Sequence, residues 1–168
     1  LGSIPIVNIE RLYVKNLAGF SARTYHKTSV VHTEKAITAN KENGKISIET
    51  PFFTFIIRED GTLGDFYDKR ADRFVGDNLN NLVTYKDGPE HEDAWNIDDG
   101  YKMRPVDMNW QNEITLVDIN DERVTVRVTK KHNNTVLTQD IIAYANITRV
   151  DVVSHVDWQE KYKILQAS

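Results

Sequence analysis

The amino-acid sequence predicts an all-β protein, an antiparallel β-sandwich that is preceded by a short β unit. Apolar and polar residues alternate in short runs, for example over residues 123–130, as expected for strands with one buried face. Turn dipeptides such as Asn43-Gly44 and Asp60-Gly61 separate the runs and favour hairpins. No stretch keeps a helical period, so we expect successive hairpins to pack as a sandwich.

The first part of the chain predicts the short β unit. Residues 4–16 are rich in β-forming side chains, and residues 20–31 form a second such segment after a short break. A polar passage at residues 39–45 follows, and polar, turn-rich passages often separate domains. We therefore predict the tail of a small β unit with a linker over residues 1–38, and a sandwich domain over residues 39–168.

Three strands are predicted in the first half of the sandwich, at residues 45–49, 52–58 and 62–67. The first alternates strictly between polar and apolar residues, which is typical of a half-buried strand. Pro51 has no N–H to donate and therefore suits the start of the second strand. Asp60-Gly61 predicts the tight turn that joins the second strand to the third.

Four strands are predicted in the second half, at residues 113–118, 123–130, 135–144 and 147–158. In the last strand Trp158 falls on the same face as three valines, so we expect it to pack in the core. Residues 160–165 are compatible with one helical turn or with a further strand. Because the predicted meander reaches the end of the sequence, we expect the sandwich to be incomplete and the chain to be a piece of a longer polypeptide.

Residues 84–101 break the alternating pattern and predict a long loop on the β framework. The segment is acidic, with five carboxylate side chains within residues 90–99. Asp87, Gly88 and Pro89 begin it with residues typical of turns. A long loop on a rigid scaffold commonly carries the functional side chains, so this loop is the candidate site.

Two kinds of role are open for the side chains of this loop. A pair of carboxylates is the usual machinery of glycoside hydrolysis, which makes Asp93, Asp98 and Asp99 candidates for sugar contacts. The same three residues also suit solvated loop charges or backbone caps. Trp95 suits either a stacking platform for the apolar face of a sugar ring or a plug of the sandwich core.

Two His-x-Asp pairs, His91 with Asp93 and His155 with Asp157, have the form of partial metal sites. Residues two apart on a strand point to the same side, but a metal site needs three or four ligands. The five histidines of the chain fall in different segments, and no second spacing supports either pair. We therefore interpret the pairs as a solvated loop and a polar strand face, and expect no metal site in this chain.

Composition argues against several classes of partner. The net charge of −4 gives no electrostatic reason to expect nucleic acid. No apolar run approaches the roughly 20 residues that span a bilayer, so no membrane partner is expected.

The chain has no cysteine, which is compatible with a reducing compartment, and residues 1–10 lack the basic and apolar regions of a signal peptide. We therefore expect a cytoplasmic location.

Four stretches of the sequence carry a family resemblance. They are VKNLAGFSARTYHKT at residues 14–28, IETPFFTFIIREDGTLGDFYDKR at 48–70, YKDGPEHEDAWNIDDGY at 85–101 and VDWQEKYKILQ at 156–166. In this order and spacing they resemble the C-terminal β region of the family 38 glycoside hydrolases, the class II α-mannosidases. One departure is visible, since Asn96 stands where the family often has Asp. The second Asp of that motif is kept as Asp98.

The resemblance implies a fold and an activity. The larger part of the chain is expected to form a galactose-mutarotase-like sandwich. It is expected to belong to an enzyme that removes terminal α-mannose with retention, through a covalent glycosyl-enzyme intermediate. In that family the nucleophile and most or all zinc ligands lie upstream, in an α/β barrel and the following helical region. No stretch of this chain resembles either region, so catalytic residues and zinc are expected outside it.

The resulting hypothesis is a non-catalytic β-domain fragment of an α-mannosidase. Its expected partners are the rest of the parent polypeptide, with the catalytic barrel and helical region, and mannose-containing glycans. The acidic loop would help to shape the sugar pocket by supplying walls, a stacking surface and hydrogen bonds. The residues expected near the substrate are Tyr85, Asp93, Trp95, Asp98 and Tyr101.

Two other functions remain open. A free-standing carbohydrate-binding sandwich predicts an exposed Trp95 whose fluorescence responds to mannose. An aldose mutarotase, which shares the fold, needs a His base and a Glu in one cleft, and the sequence shows no convincing pair of this kind.

Overall fold

The structure is a computed structural model that describes residues 18–24, 36–88, 96–97 and 99–168. The chain divides into two compact units, Leu1–His32 and Thr33–Ser168. The predicted boundary between residues 38 and 39 stays a prediction.

Only residues 18–24 of the first unit are described. They contain a turn at Gly19-Phe20, and residues 21–24 have no strand assignment. The predicted segment at residues 4–16 and the greater part of the one at 20–31 lie outside the described residues.

The described residues of the second unit form eleven strands and one turn of 3-10 helix. The strands are β1 (Thr38–Glu42), β2 (Lys45–Glu49), β3 (Phe53–Ile57), β4 (Leu63–Asp68), β5 (Arg73–Gly76), β6 (Leu82–Lys86), β7 (Gln111–Ile119), β8 (Arg123–His132), β9 (Thr135–Tyr144), β10 (Val150–Asp157) and β11 (Lys163–Ala167), and the 3-10 turn is Tyr101–Met103. They form three antiparallel sheets, ordered β1-β2-β3-β4-β5, β10-β9-β8-β7 and β11-β6. The all-β fold is confirmed.

The hydrophobic core joins the five-stranded and four-stranded sheets into a sandwich. Strand alternation selects its members, since in β8 the side chains of Val124, Val126 and Val128 are fully buried while Arg127 between them is exposed. Complete burial of such a side chain contributes about 1.5–3 kcal/mol relative to exposure. The other core residues of these two sheets include Ile46, Ile48, Phe53, Phe55, Ile57, Leu63, Ile114, Ile141 and Ala143.

Local turn chemistry fixes the first hairpins. Asn43 and Gly44 both have positive φ, +49° and +74°, as the two central residues of a type I′ turn require. They join β1 to β2. At the hairpin between β3 and β4, Gly61 has φ +82°, and the Asp60 carboxylate accepts hydrogen bonds from the Thr62 N–H and hydroxyl at 2.9 and 2.7 Å.

Three strands have no counterpart in the sequence prediction. β1 and β5 are edge strands of the five-stranded sheet, and their exposed residues show no alternation of burial. β6 was predicted as the beginning of the loop at residues 84–101, yet it pairs with β11 over its whole length. That pairing also shows that residues 163–165 belong to a strand and not to a helical turn.

The prediction that Trp158 packs in the core is wrong. β10 ends one residue earlier, at Asp157, and Trp158 is only half-buried. Val152 and Val156 of β10 are also exposed. The reason is that β10 is the outer strand of its sheet, so that half of its lateral surface has no neighbouring strand. Alternation alone cannot distinguish such an edge strand from a central one.

Candidate functional site

The loop predicted at residues 84–101 is anchored at both ends by the two-stranded sheet. It leaves β6 after Lys86 and returns through the 3-10 turn Tyr101–Met103. The chain then runs alongside β6, because the Lys86 N–H donates to the Arg104 carbonyl and the Val106 N–H donates to the Thr84 carbonyl, each at 2.8 Å. The base of the loop is therefore held by backbone hydrogen bonds on both sides of β6.

Two tyrosines form a clamp between the ends of the loop. Tyr85 lies on β6, opposite Ile164 of β11. Its ring meets that of Tyr101 edge to face, with centroids 5.3 Å apart and planes at 86°, a geometry worth about 0.5–1.5 kcal/mol beyond burial. The Tyr101 hydroxyl donates to Gln166 Oε1 at 3.0 Å, which ties the clamp to β11. We call Tyr85, Tyr101 and Gln166 the tyrosine clamp.

The structure brings together two of the five predicted site residues, Tyr85 and Tyr101. The other three, Asp93, Trp95 and Asp98, lie outside the described residues, as does His91. Their contact with substrate, and the sugar-binding role of all five, stay predictions. Both possible roles of Trp95 also stay open.

A second polar cluster, which the sequence did not reveal, joins the residue before β7, the end of β8 and the connection between β10 and β11. The Trp110 and His132 rings meet at 6.1 Å between centroids. His132 Nε2 lies 3.9 Å from Glu160 Oε1, and Glu160 forms an ion pair with Lys163 at the start of β11. The contacts join residues far apart in sequence, so only the Glu160–Lys163 spacing offered a sequence signal.

This cluster has the histidine and glutamate that a mutarotase would need, but the Glu160 carboxylate already forms an ion pair with Lys163. The hydrogen bond from Lys163 holds the pKa of Glu160 below its usual range, which stabilises the carboxylate against protonation. Its side chain is only 9% exposed, which restricts access for a substrate. The arrangement favours a structural tie between the β8–β9 hairpin and β11.

The described residues do not fit a zinc site. No group of three or more His, Cys, Asp or Glu side chains among them is arranged to hold a metal ion. His155 and Asp157 lie on the same exposed face of β10, and the Asp157 carboxylate accepts a hydrogen bond from Gln159. Two adjacent ligands fall short of the three or four that a zinc ion takes from proteins.

Gln139 and Lys130 are two of the polar residues that are buried in the described part of the chain. Gln139 on β9 exchanges hydrogen bonds with Asn80 at 3.0 and 3.2 Å and donates to the Ser154 hydroxyl at 3.0 Å. Lys130 on β8 is 5% exposed, and its burial lowers the pKa of its ammonium group, with a smaller opposing effect from Asp60. These residues belong to the interior of the sandwich, so we assign them to stability.

Fold and site together define an antiparallel β-sandwich domain that carries an acidic loop on a clamp of two tyrosines. Residues 48–168 match the model of the family described as "Glycosyl hydrolases family 38 C-terminal domain". Since this match covers well over half of the chain, the protein belongs to that family, and the resemblance noted in its sequence is confirmed.

A curated relative agrees with the family. The chain is 26% identical over 140 residues to "Alpha-mannosidase G" of Dictyostelium discoideum, an alignment that covers 78% of this chain. The same alignment covers 13% of the relative, so the chain spans only a small part of the length of the protein that it matches. A search of the described residues finds no helix with the length and apolarity needed to cross a membrane.

Proposed function

We propose that this chain is the non-catalytic β-domain of an α-mannosidase, an enzyme that removes terminal α-mannose with retention of configuration. The observation that carries the proposal is the family match over residues 48–168, together with the similarity to an α-mannosidase of which the chain spans only 13%. On this proposal the domain packs against the catalytic part of the parent polypeptide and supports its sugar pocket. A cytoplasmic location stays a prediction.

The proposed division of labour follows from the residues of the chain. The described part offers no metal-binding group, and its His132–Glu160 pair is tied to Lys163. The nucleophile and the zinc ion would therefore be supplied by the rest of the parent polypeptide, the catalytic α/β barrel and the helical region. Mannose-containing glycans would be the substrates of the whole enzyme.

The proposed contribution of this chain is to position the loop at residues 84–101. The tyrosine clamp closes the base of the loop and limits the conformations open to it. Asp93, Trp95 and Asp98 would then approach the glycan as hydrogen-bond partners and a stacking surface. A fixed loop raises catalytic efficiency because less ordering remains to be done when the sugar binds.

The clamp can be tested in the full-length parent enzyme. Tyr101→Phe removes the hydrogen bond to Gln166, worth about 0.5–1.5 kcal/mol, while keeping the ring that packs on Tyr85. We expect kcat/KM on an aryl α-mannoside to fall about two- to tenfold, and amide hydrogen exchange to rise in residues 84–101. Tyr162→Phe is the matched control, because the Tyr162 side chain is exposed, and its kcat/KM should stay within about twofold of wild type.

The two measurements separate the possible outcomes. Faster exchange of the loop with unchanged kcat/KM would show that the loop is clamped but plays no part in the sugar site. A fall in Trp fluorescence on mannose titration of the isolated chain, with no effect of Tyr101→Phe on the parent enzyme, would instead favour a free-standing carbohydrate-binding module.

A further inference from the structure

The side-chain amide of Asn133 bridges an imidazole and a carboxylate at the turn between β8 and β9. Its Nδ2 lies 2.9 Å from His132 Nε2 and 3.5 Å from Glu160 Oε1. The partners fix the orientation of the amide, because the reversed amide would set its oxygen against the carboxylate oxygen. An amide nitrogen carries two N–H donors, so one is available for each neighbour.

This contact determines where the neutral imidazole carries its proton. His132 Nε2 can accept a hydrogen bond from Asn133 only if it has no hydrogen of its own, so the proton is on Nδ1. His132 Nε2 lies 3.9 Å from Glu160 Oε1, which is too far for a direct hydrogen bond. In this state the carboxylate therefore meets the amide and not the imidazole.

Protonation of the imidazole would reverse the role of Nε2. Both ring nitrogens of an imidazolium are donors, so Nε2–H would face the N–H groups of Asn133. Glu160 Oε1 is the charged acceptor within reach, and hydrogen bonds between ionised groups are about twice as strong as those between neutral groups. Lys163 binds the other carboxylate oxygen, Oε2, and so does not compete for Oε1.

We propose that His132, Asn133 and Glu160 form a pH-sensitive switch that holds the entry of the loop at residues 84–101 more tightly in acid solution. At neutral pH the amide bridges the imidazole and the carboxylate. In acid solution a proton from solvent binds Nε2, and the imidazolium donates directly to Glu160 Oε1 and displaces the amide. The His132 side chain is 22% exposed, which gives solvent protons access, and histidine is the side chain that ordinarily changes charge between about pH 5 and 8.

The surroundings of the imidazole supply one negative charge. Within the described part of the chain, the charged groups that face it are those of Glu160 and Lys163, at the turn before β11. Its neighbours on the other strands are uncharged, since Thr135 lies opposite on β9 and the Trp110 ring packs against it. Lys131, the preceding residue of β8, points to the opposite face of the sheet.

Glu160 remains ionised over the range in which an imidazole titrates. The hydrogen bond from Lys163, with a smaller contribution from that of Asn133, holds the pKa of Glu160 below its usual range. The carboxylate is therefore an acceptor in both states of the switch, and only the donor to its Oε1 changes.

The switch is connected to the loop through the turn before β11. Glu160 and Lys163 close this turn, in which Tyr162 has φ +56°, a conformation that bulky side chains rarely adopt. The Tyr162 carbonyl accepts a hydrogen bond from the Asp87 N–H at 2.8 Å, at the entry of the loop. A stronger bond to Glu160 would stabilise the turn and, through it, the position of Asp87.

Nitrogen NMR of the histidine rings tests the switch in the 168-residue chain. At pH 8 His132 should show the tautomer with its proton on Nδ1. As pH falls, the side-chain amide signals of Asn133 should shift with the same midpoint as the His132 ring. His132→Gln assigns the signals, and His155, exposed on β10, is the reference for an imidazole outside the switch.

Two variants should move the midpoint of the His132 titration in opposite directions. Asn133→Gly suits the φ of +50° and removes the donor that stabilises the neutral ring, so the midpoint should rise. Glu160→Gln removes the charged acceptor, so the midpoint should fall. Each shift should be about 0.4–1 pH unit, the equivalent of one hydrogen bond. Asn134→Ala, a change of an exposed residue in the same turn, is the control and should leave the midpoint unchanged.

Amide hydrogen exchange measures the effect on the loop. After correction for the intrinsic pH dependence of exchange, the Asp87 amide should be about two- to tenfold better protected at pH 5 than at pH 8. His132→Gln should abolish this difference. Thermal melting of each variant shows that it is folded.

Three results would each overturn the proposal. The first is a His132 ring that carries its proton on Nε2 at pH 8. The second is a midpoint that stays the same or falls in Asn133→Gly, since the amide would then not favour the neutral ring. The third is equal protection of Asp87 at the two pH values in the wild-type chain. The Nδ1–H tautomer, a raised midpoint in Asn133→Gly and pH-dependent protection that needs His132 would together establish it.

Discussion

The buried side chain of Lys130 gives the sharpest prediction about stability. Lys130 is 5% exposed and lies between Leu137 and Asn112 in the strand register. Among the described residues Asp60 attracts its ammonium group, and this effect is smaller than that of burial. Its pKa is lowered chiefly by burial, so the charged form is less favourable in the folded chain than in the unfolded one. Lys130→Met keeps a flexible, unbranched side chain and removes the charge.

The magnitude and the pH dependence follow from that pKa. Each unit by which folding lowers the pKa costs about 1.4 kcal/mol of folding free energy while the ammonium group is charged. Replacing a buried ion pair with apolar residues of similar volume is often neutral or stabilising by about 1–4 kcal/mol. For the single charge removed in Lys130→Met we expect a gain toward the low end of this range, roughly 1 kcal/mol at pH 7. The free-energy cost of burying the charged ammonium is complete below the pKa of Lys130 in the folded chain. It disappears as pH rises to the pKa of lysine in the unfolded chain, about 10.4. The advantage of the variant should therefore shrink between neutral and alkaline pH.

Urea denaturation of the 168-residue chain at pH 7 and pH 10 measures both effects. Lys131→Met is the matched control, because the neighbouring lysine is exposed on the other face of β8, and it should stay within about 0.5 kcal/mol of wild type. A loss of stability in Lys130→Met at pH 7 would refute the reasoning, because the attraction to Asp60 would then outweigh the cost of burial. So would a gain that is the same at both pH values.

Two further predictions concern the interior of the sandwich, and chemical denaturation measures both. Gln139→Ala should lower the free energy of unfolding by about 2–3 kcal/mol, because it leaves the Asn80 amide without its reciprocal partner. The Gln139→Ala/Asn80→Ala double variant should lose less than the sum of the losses in the two single variants. Additive losses would contradict the hydrogen-bond network. Gly61→Ala should lose about 1–2 kcal/mol, because φ is +82° and the new methyl group would lie 3.1 Å from Val128 Cγ1. Gly100→Ala, which would meet nothing within 4 Å, should be near neutral, and equal losses at the two glycines would show that backbone strain is not the cause.

The sequence predicted the parts of the fold that depend on local chemistry. The turn signals at Asn43-Gly44 and Asp60-Gly61 lie where the structure turns, since positive φ is a property of the residues themselves. The alternation in β2 and β8 likewise identified their buried faces, because burial of one face imposes a period of two.

The rest could not be predicted because it depends on contacts between distant segments. The pairing of Tyr85 with Ile164 makes β6 a strand, and neither segment alone indicates the other. Exposure of β10 follows from its place at the edge of a sheet, which alternation does not encode. The Tyr85–Tyr101 contact and the His132–Glu160 pair likewise form only when the fold brings distant segments of the chain together.

The central claim is that this β-domain supports a sugar site without owning the groups that cleave the glycosidic bond. The most direct test is turnover of an aryl α-mannoside by the purified 168-residue chain, with and without added zinc, beside the full-length parent enzyme. We predict turnover by the parent enzyme and none by the isolated chain in either condition. Measurable hydrolysis by the isolated chain, above that of a heat-denatured sample, would contradict this division of labour.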